Sequence, residues 1–231
     1  MAADQRGLVM LLRLHSFLPA SQANGPGRRA VIWVQGCSIK CEGCYNPATH
    51  PFHHGRQVSI QELMDLLIQN RQQVEGLTVT GGEPFDQVAA ITDLLVHVKQ
   101  ETSLSTVVFT GYSLEEIMPN AQQVDVQMKL LDVPSNWVHT KGFRWDGLTQ
   151  LPEPFRSVDI LIAGRYDRRF SSQYSGFQLG NKKVYFFSDR YSCQDLLQIP
   201  PAELVIGNDG RILFTGTDPA DCRTFYTTSY T

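Results

Sequence analysis

The sequence predicts an α/β fold built around a mainly parallel sheet. Runs of β-branched and aliphatic residues alternate with segments in which apolar residues recur at helical spacing. Turn signals containing glycine, such as Gly81-Gly82, separate several of these runs. With 231 residues, the chain is long enough for one sizeable core, or for one domain with an appendage.

The first half of the chain alternates regularly between strand and helix. Ser59-Ile-Gln-Glu62 is a capping box, and the apolar residues that follow recur on one face, so a helix begins there. The loop at 23–29 holds two glycines and a proline, which interrupt any regular element. The predicted order is a strand over 8–14, a strand over 30–34, a helix from 60 to about 74, a strand over 77–80, a helix over 87–99 and a strand over 106–110.

An aromatic-rich stretch interrupts this alternation in the second half. Ser113-Leu-Glu-Glu116 predicts the cap of a short helix, but the residues after it show few periodic positions and contain several prolines. We interpret 118–155 as an irregular insertion. Its aromatic residues either pack it on the body of the protein or grip a partner or substrate. They include Trp137, Phe143, Trp145 and Phe155.

The rest of the chain predicts further strands and a β-hairpin near the end. Gly207-Asn-Asp-Gly210 is a turn sequence between two short apolar runs. The tail after Pro219 is polar, and we expect it to be loose. The predicted strands are 158–163, 184–187, 203–206 and 211–215. We therefore expect a core domain over 1–187 and a C-terminal extension over 188–231.

Charge and hydropathy argue against two kinds of partner. The net charge is −3 and the pI about 6.1, and Lys and Arg are scattered, so the basic field that nucleic acid requires is missing. The sequence has no run of about 18 apolar residues that could span a membrane. Its five cysteines, three of them clustered, fit a reducing compartment. We expect a cytoplasmic protein in which Cys193 and Cys222 are ordinary thiols.

Three cysteines lie within eight residues, directly after the predicted strand over 30–34; they are Cys37, Cys41 and Cys44. A structural zinc site and a cluster used only for electron transfer each take four protein ligands. Three thiolates leave one metal position open, which indicates chemistry at that position. The alternative is a zinc site completed by a nearby histidine; the candidates are His50, His53 and His54.

A second motif, Gly81-Gly-Glu-Pro84, follows the next predicted parallel strand. Two glycines after a strand are also typical of a simple turn. Glu83, however, adds a carboxylate beside exposed backbone groups, which suits a ligand carrying both an ammonium and a carboxylate, such as an amino acid. Because parallel strands place their carboxyl ends on one rim, we expect this motif to lie near the cysteines.

These motifs resemble the radical S-adenosylmethionine (SAM) superfamily and, within it, the glycyl-radical activating enzymes. The cysteine spacing and Gly81-Gly-Glu-Pro84 carry the superfamily resemblance. The likeness covers roughly 14–167 and is greatest to the activating proteins of anaerobic ribonucleotide reductase, which share Gly43 where many superfamily members have an aromatic residue. The further matching motifs are Asn24-Gly-Pro-Gly27, Trp33-Val-Gln-Gly-Cys37, Cys41-Glu-Gly-Cys-Tyr-Asn46, Phe109-Thr-Gly-Tyr112 and Asp159-Ile-Leu-Ile-Ala-Gly-Arg165.

The resemblance implies a partial (β/α)6 barrel, open at one side, and an oxidoreductase with two cofactors, a 4Fe–4S cluster and SAM. Three cysteines would hold three irons, and SAM would chelate the fourth. The backbone from Gly43 to Tyr45 would lie against the adenine. The residues expected to orient the methionyl ammonium are Gly81, Gly82, Glu83 and Pro84. No catalytic side chain is implied beyond these ligands, because the protein positions the reactants and excludes water and oxygen.

The implied reaction begins with an electron from a low-potential donor of the flavodoxin or ferredoxin type. SAM is then cleaved to a 5′-deoxyadenosyl radical, which removes hydrogen from a substrate. The favoured substrate is a glycine Cα in a large partner protein, which would keep a stored glycyl radical. A ribosomally made peptide is the alternative substrate. An iron–sulfur electron-transfer module is the non-enzymatic alternative, and Gly81-Gly-Glu-Pro84 argues against it.

Overall fold

Nine strands and four α-helices form the described part of the protein. The computed structural model describes residues 9–118, 153–167, 169, 182–207, 210 and 212–216. The strands are β1 (Leu11–Ser21), β2 (Arg29–Val34), β3 (Arg56–Ser59), β4 (Gly76–Gly81), β5 (Ser105–Thr110), β6 (Ile160–Ala163), β7 (Lys183–Phe186), β8 (Ala202–Ile206) and β9 (Ile212–Gly216). The helices are α1 (Ile60–Asn70), α2 (Val88–Glu101), α3 (Leu114–Ile117) and α4 (Cys193–Leu197).

The main sheet has seven strands in the order β3-β1-β2-β4-β5-β6-β7. Its centre is parallel, because β2, β4, β5 and β6 run in one direction. β1, β3 and β7 pair antiparallel at the two edges. The predicted α/β class with a parallel centre is confirmed. The described residues contain four parallel strands, two fewer than the six of the implied barrel.

The central strands are buried along most of their length because both of their faces are covered. The helices α1 and α2 pack on one face through side chains that are fully buried, such as Leu63, Leu67 and Leu94. On the other face, α4 and the residues after it cover β5 to β7 with Cys193, Leu196 and Ile199. None of the helices in the described ranges has the length and apolar content to cross a membrane.

The strands β8 and β9 pair antiparallel in a separate two-stranded sheet that lies against β1 and β2. Val205 of β8 packs on Leu18, Val31 and Trp33. The Glu203 carboxylate also accepts a hydrogen bond of 2.6 Å from the Ser21 hydroxyl at the end of β1. These contacts attach the C-terminal segment to the face of the main sheet opposite the one that α1 and α2 cover.

Several element boundaries differ from the predicted ones. The helix α1 begins as predicted, with the Ser59 hydroxyl accepting from the Glu62 N–H at 3.1 Å, but it ends at Asn70. β1 continues to Ser21 through two irregular pairings with β2. β3 and α4 were not predicted, because each has only four or five residues and too few buried positions to show a period.

Most of the predicted insertion at 118–155 lies outside the described residues, as do Trp137, Phe143, Trp145 and the tail after Pro219. Phe155 is described and is buried. Its ring centroid lies 5.9 Å from those of Phe85 and Phe187. For this residue, packing on the body of the protein is the interpretation that the structure supports.

A buried arginine holds the amino-terminal ends of three parallel strands together. Arg29 begins β2 and is fully buried. Its guanidinium donates to Thr78 Oγ1 and the Leu77 carbonyl oxygen of β4, both at 2.7 Å, and to Ser105 of β5 at 3.0 Å. All of these acceptors are uncharged, and burial lowers the pKa of Arg29 to about 10. Hydrogen bonds thus replace the water that the cation has lost.

A buried carboxylate links helix α2 to the sheet. Asp159 precedes β6 and accepts from the Lys99 ammonium at 2.9 Å, the Ser188 hydroxyl at 2.6 Å and the Thr106 N–H at 2.8 Å. Burial alone would raise the pKa of Asp159, but the hydrogen bonds from Ser188 and Lys99 outweigh it, so the pKa is lowered. The charged form therefore stabilises the fold.

We expect Asp159→Asn to lower the free energy of unfolding at pH 7 by about 2 kcal/mol, because an amide cannot accept all of these hydrogen bonds. Urea denaturation at pH 7 measures this loss. Because the folded-state pKa is lowered, the wild-type advantage is complete above the ordinary aspartate range and shrinks as the pH falls below it. Asp65→Asn, at an exposed position of α1, is the matched control. An equal loss in both variants would contradict the prediction.

Candidate functional site

Loops that follow the four parallel strands meet at one edge of the sheet. The cysteine loop follows β2, Gly82 to Asp86 follow β4, Gly111 and Tyr112 follow β5, and Gly164 to Tyr166 follow β6. The carboxyl ends of parallel strands are where α/β folds bind ligands. The predicted convergence of the cysteine loop and Gly81-Gly-Glu-Pro84 is therefore present, and two further loops join it.

Backbone hydrogen bonds fix the start of the cysteine loop. The Gly82 N–H donates to the Val34 carbonyl oxygen and the Glu83 N–H to the Gly36 carbonyl oxygen, both at 2.9 Å. From the other side, the Cys37 N–H donates to the His50 carbonyl oxygen at 3.1 Å. The first cysteine is thus held by the motif after β4 and by the segment that closes its own loop.

The two glycines of the motif permit this close approach. Gly81 has a φ of 105°, and a Cβ there would lie 2.6 Å from the Val34 backbone nitrogen. A Cβ on Gly82 would overlap the Gly36 carbonyl oxygen. Any side chain at either position would separate the two loops. The glycines therefore do more than make a turn, which was the simpler interpretation of their sequence.

Glu83 is the buried polar centre of the site, with only 1% of its surface exposed. Its carboxylate accepts from Thr110 Oγ1 at 2.8 Å and from the N–H groups of Gly111 at 2.7 Å and Phe85 at 2.9 Å. Burial raises the pKa of Glu83, although these three hydrogen bonds oppose the rise. The side chain thus joins the loop after β4 to the loop after β5.

A second polar contact holds the middle of the cysteine loop. The Asp86 carboxylate accepts from the Ser38 N–H at 2.7 Å and from the Ser38 hydroxyl at 2.9 Å. The Tyr112 hydroxyl lies 2.9 Å from the Ser38 hydroxyl and 3.1 Å from Asp86. The Arg165 guanidinium lies 5.9 Å from the centre of the Tyr112 ring and forms an ion pair with Glu116. Residues after β4 and β5 therefore hold the loop directly, and Arg165 after β6 contacts one of them, Tyr112.

The three predicted metal ligands are free cysteines. Cys37 is buried, and Cys41 and Cys44 are partly exposed. Burial raises the pKa of Cys37 and of Cys44, and the pKa of Cys44 is raised further by the two other cysteines nearby. The Asn46 N–H, at 3.4 Å from Cys44 Sγ, opposes that rise. Without metal these two groups favour the thiol form, so metal binding would release their protons.

The donor set consists of three free thiols, the side-chain type that holds iron–sulfur clusters. In the part of the chain that the structure describes, no three His, Cys, Asp or Glu side chains are grouped to hold a single metal ion. The thiolates of a cluster each bind a different iron, so they do not have to meet at one point. His53 and His54 contact each other edge to face at 4.3 Å. His50 Nε2 is buried and has no hydrogen-bond partner among the described residues.

Two residues that the sequence did not single out also lie at this edge. Tyr166, after β6, packs its ring against that of Tyr45 with centroids 4.6 Å apart. Lys182, just before β7, donates from its ammonium to the carbonyl oxygens of Thr110 and Gly164. Tyr166 directly follows the matched motif ending at Arg165, which was a usable signal. A lysine outside every motif gave none.

A family model described as a 4Fe-4S single cluster domain matches residues 23–135, which include the three cysteines and Gly81-Gly-Glu-Pro84. Fold, site and family model together define a radical SAM enzyme whose cofactors are a 4Fe–4S cluster and SAM.

Three named relatives narrow the class further. The anaerobic ribonucleoside-triphosphate reductase-activating protein of Vibrio cholerae serotype O1 is 32% identical over 146 residues, which is 59% of this chain and 93% of that protein. The protein of the same name from Enterobacteria phage T4 is 35% identical over 67% of this chain and 81% of its own length. The pyruvate formate-lyase-activating enzyme of Clostridium pasteurianum is 29% identical over 54% of this chain and 55% of its own length. The chain belongs to the family of anaerobic ribonucleoside-triphosphate reductase-activating proteins.

We expect Glu83→Ala to loosen the contact between the loops after β4 and β5, because the Gly111 N–H would lose a charged acceptor. A hydrogen bond to a charged group contributes about 1.5–3 kcal/mol, so the Gly111 amide should exchange at least about tenfold faster. Hydrogen exchange followed by NMR measures this. Glu101→Ala, at the exposed end of α2, is the control. Unchanged protection of Gly111 would show that Glu83 does not hold this contact.

Proposed function

We propose that this chain activates a glycyl-radical enzyme by removing a hydrogen atom from a glycine Cα of a large partner protein. For each hydrogen atom removed, one SAM and one electron are consumed, methionine and 5′-deoxyadenosine are released, and the unpaired electron stays on the glycine. The observation that carries the proposal is the convergence of the cysteine loop and Gly81-Gly-Glu-Pro84 on one rim, joined through Glu83. The names of the relatives supply the class of partner.

We assign the cluster to Cys37, Cys41 and Cys44. When bound, the cluster supplies the electron that SAM cleavage requires. The chain supplies the thiolates and fixes their loop. Cys37 is anchored through its own N–H and through Gly36, and Ser38 is held by Asp86. A loop with so many fixed contacts is preorganised, so little ordering remains when the metal binds.

We assign the SAM head group to the rim formed by Gly81, Gly82, Glu83 and Pro84. The Glu83 carboxylate is buried and accepts three hydrogen bonds within the rim, so it acts on SAM by shaping the backbone around it. The two glycines let the backbone after β4 lie directly against Val34 and Gly36, which brings the motif next to the cysteine loop. We assign the adenine side to the backbone from Gly43 to Tyr45; the ring of Tyr166 packs against that of Tyr45 at this position, with centroids 4.6 Å apart.

The same proposal covers the fold, the cellular compartment, the electron donor and the partners of the protein. The parallel strands and their shared rim support a partial (β/α)6 barrel over 1–187, with 188–231 as an extension that contains a β-hairpin. The free thiols of the described cysteines suit a reducing compartment, so we place the protein in the cytoplasm. Its electron would come from a low-potential donor of the flavodoxin or ferredoxin type. The weak net charge of −3 favours neither nucleic acid nor a membrane surface as a partner.

We expect Cys37→Ala, Cys41→Ala and Cys44→Ala each to abolish the bound cluster and the formation of 5′-deoxyadenosine from SAM and dithionite. Each variant removes one of only three thiolate ligands. Iron content, visible absorbance and product analysis after anaerobic reconstitution measure the effect. Cys193→Ala, which removes a buried thiol of α4 outside the site, should keep the cluster. A triple-alanine protein that still showed the brown cluster absorbance would contradict the assignment.

The substrate is tested by mixing the reconstituted full chain, SAM and dithionite with the large glycyl-radical enzyme encoded in the same genome. We expect the EPR signal of a carbon-centred radical on that partner, and its loss when the radical-bearing glycine is replaced by alanine. A mass change on a short precursor peptide, with no radical on the large enzyme, would favour the peptide alternative. Absence of 5′-deoxyadenosine in every mixture would leave only an electron-transfer module.

A further inference from the structure

A buried glutamine fastens the base of the cysteine loop. Gln35 directly follows β2, two residues before Cys37, and none of its surface is exposed. Its side-chain nitrogen donates to the Ala48 carbonyl oxygen at 3.0 Å and to the Pro51 carbonyl oxygen at 2.8 Å. Both carbonyls belong to the segment in which the chain returns from the loop. Gln35 therefore joins the chain before the first cysteine to the chain after the third.

Four successive carbonyl oxygens of the returning segment are bound in this way. The Gly36 N–H donates to the Thr49 carbonyl oxygen at 2.7 Å, and the Cys37 N–H donates to the His50 carbonyl oxygen at 3.1 Å. The Gln35 side chain binds the carbonyls on either side of these two. We call the paired segments the neck of the cysteine loop, with 35–37 on one side and 48–51 on the other. One side chain thus supplies the two outer hydrogen bonds of the neck.

The Gln35 amide can lie only one way round. The Ala48 and Pro51 carbonyl oxygens only accept, so the amide nitrogen faces them and the amide oxygen faces away from the neck. On that side, His15 of β1 lies with its Nδ1 at 2.7 Å from Gln35 Oε1. Because Oε1 also only accepts, His15 carries its hydrogen on Nδ1 and donates. A carboxylate of the same shape would instead turn an acceptor towards the two carbonyls of the neck.

The backbone of Gln35 is fixed as well. Its N–H donates to the Arg13 carbonyl oxygen at 2.9 Å, and its carbonyl oxygen accepts from the Gln87 side-chain nitrogen at 3.1 Å. The side-chain oxygen of Gln87 also accepts from the Arg13 N–H at 2.7 Å. Gln87 ends the turn that begins at Pro84. The side chain that closes the neck is therefore carried by a backbone that β1 and the residues after β4 both hold in place.

The neck is connected to Cys44 as well as to Cys37. Thr49, on its returning side, donates from its N–H at 3.0 Å and from its hydroxyl at 2.7 Å to the Asn46 carbonyl oxygen. The Asn46 N–H in turn lies 3.4 Å from Cys44 Sγ. A continuous set of contacts therefore runs from the neck to the first and the third cysteine.

We propose that Gln35 is a positioning residue that closes the neck before metal binds and so holds Cys37 and Cys44 at the separation that one 4Fe–4S cluster requires. This inference rests on the proposed function. Gln35 lies in the matched motif Trp33-Val-Gln-Gly-Cys37, but the resemblance assigns no role to it. A loop that is already closed loses less conformational freedom when its thiolates bind iron, so it holds the cluster more tightly.

Amide hydrogen exchange of the apoprotein, followed by NMR, tests the closure itself. In Gln35→Met the side chain keeps its length but has no donor. We expect the Cys37 N–H to exchange about tenfold faster, because two neutral hydrogen bonds of the neck are lost. Gln35→Glu, which keeps the shape, should increase the rate at least as much. Gln57→Met, at an exposed position of β3, is the matched control and should not change it. Unchanged exchange of Cys37 in Gln35→Met would overturn the inference.

The stability of the cluster tests the consequence for metal binding. After anaerobic reconstitution with ferrous iron and sulfide, we expect Gln35→Met and Gln35→Glu to lose iron to a chelator about tenfold faster than the wild type. Asp159→Asn removes buried hydrogen bonds at the opposite end of the sheet and should lose iron at the wild-type rate. This control separates a general loss of stability from loosening of the neck. A wild-type rate in Gln35→Met would show that Gln35 only fills space.

The remaining outcomes are separated by cluster content and by circular dichroism of each apoprotein. A wild-type chain that takes up no cluster would overturn the proposed function, and this inference with it. A folded Gln35→Met apoprotein with fast Cys37 exchange that takes up no cluster supports the inference. If neither Gln35 variant folds, the residue serves the fold itself and the inference is wrong.

Discussion

The Glu83 carboxylate is the interaction on which the geometry of the site depends. A buried carboxylate is costly unless donors surround it, and here three donors do, from the hydroxyl of Thr110 and the N–H groups of Gly111 and Phe85. The donors from Thr110 and Gly111 are within reach because β4 and β5 are parallel neighbours that end at the same level. The backbone of Glu83 meanwhile reaches the cysteine loop through Gly36. One residue therefore sets the spacing of three loops.

The amino-terminal end of the sheet also contains buried charged groups. Their role differs from that of Glu83, because they join strands and a helix rather than loops. Arg29 is surrounded by uncharged oxygens that join β2, β4 and β5 at their amino-terminal ends. Asp159 joins β6 to helix α2 through Lys99. These contacts keep the parallel strands in register. The rim at the carboxyl ends can consequently consist of loops and glycines, because the strands beneath it are already fixed.

Some parts of this arrangement were predictable because their signals are local. The capping box at Ser59, the apolar stripe of α2 and the strands before the cysteines and before Gly81 each depend on neighbours within a few residues. The short β3 was not predictable, since only Val58 of its four residues is buried. The same holds for the length of β1, where pairing with β2 and β3 outweighs an irregular pattern.

The sequence by itself determined the chemistry of the site. Three cysteines at this spacing, followed by Gly81-Gly-Glu-Pro84, predict a metal position with one open corner and a rim suited to an amino acid, because ligand type and chain spacing are properties of the sequence. Only the tertiary structure decided where the charges lie. Glu83 is buried and accepts its hydrogen bonds from the rim, and Lys182, which no motif contains, donates to the carbonyl oxygens of Thr110 and Gly164 at the same edge of the sheet. The strength of a charge depends on its burial and its neighbours, and residues far apart in the chain supply both.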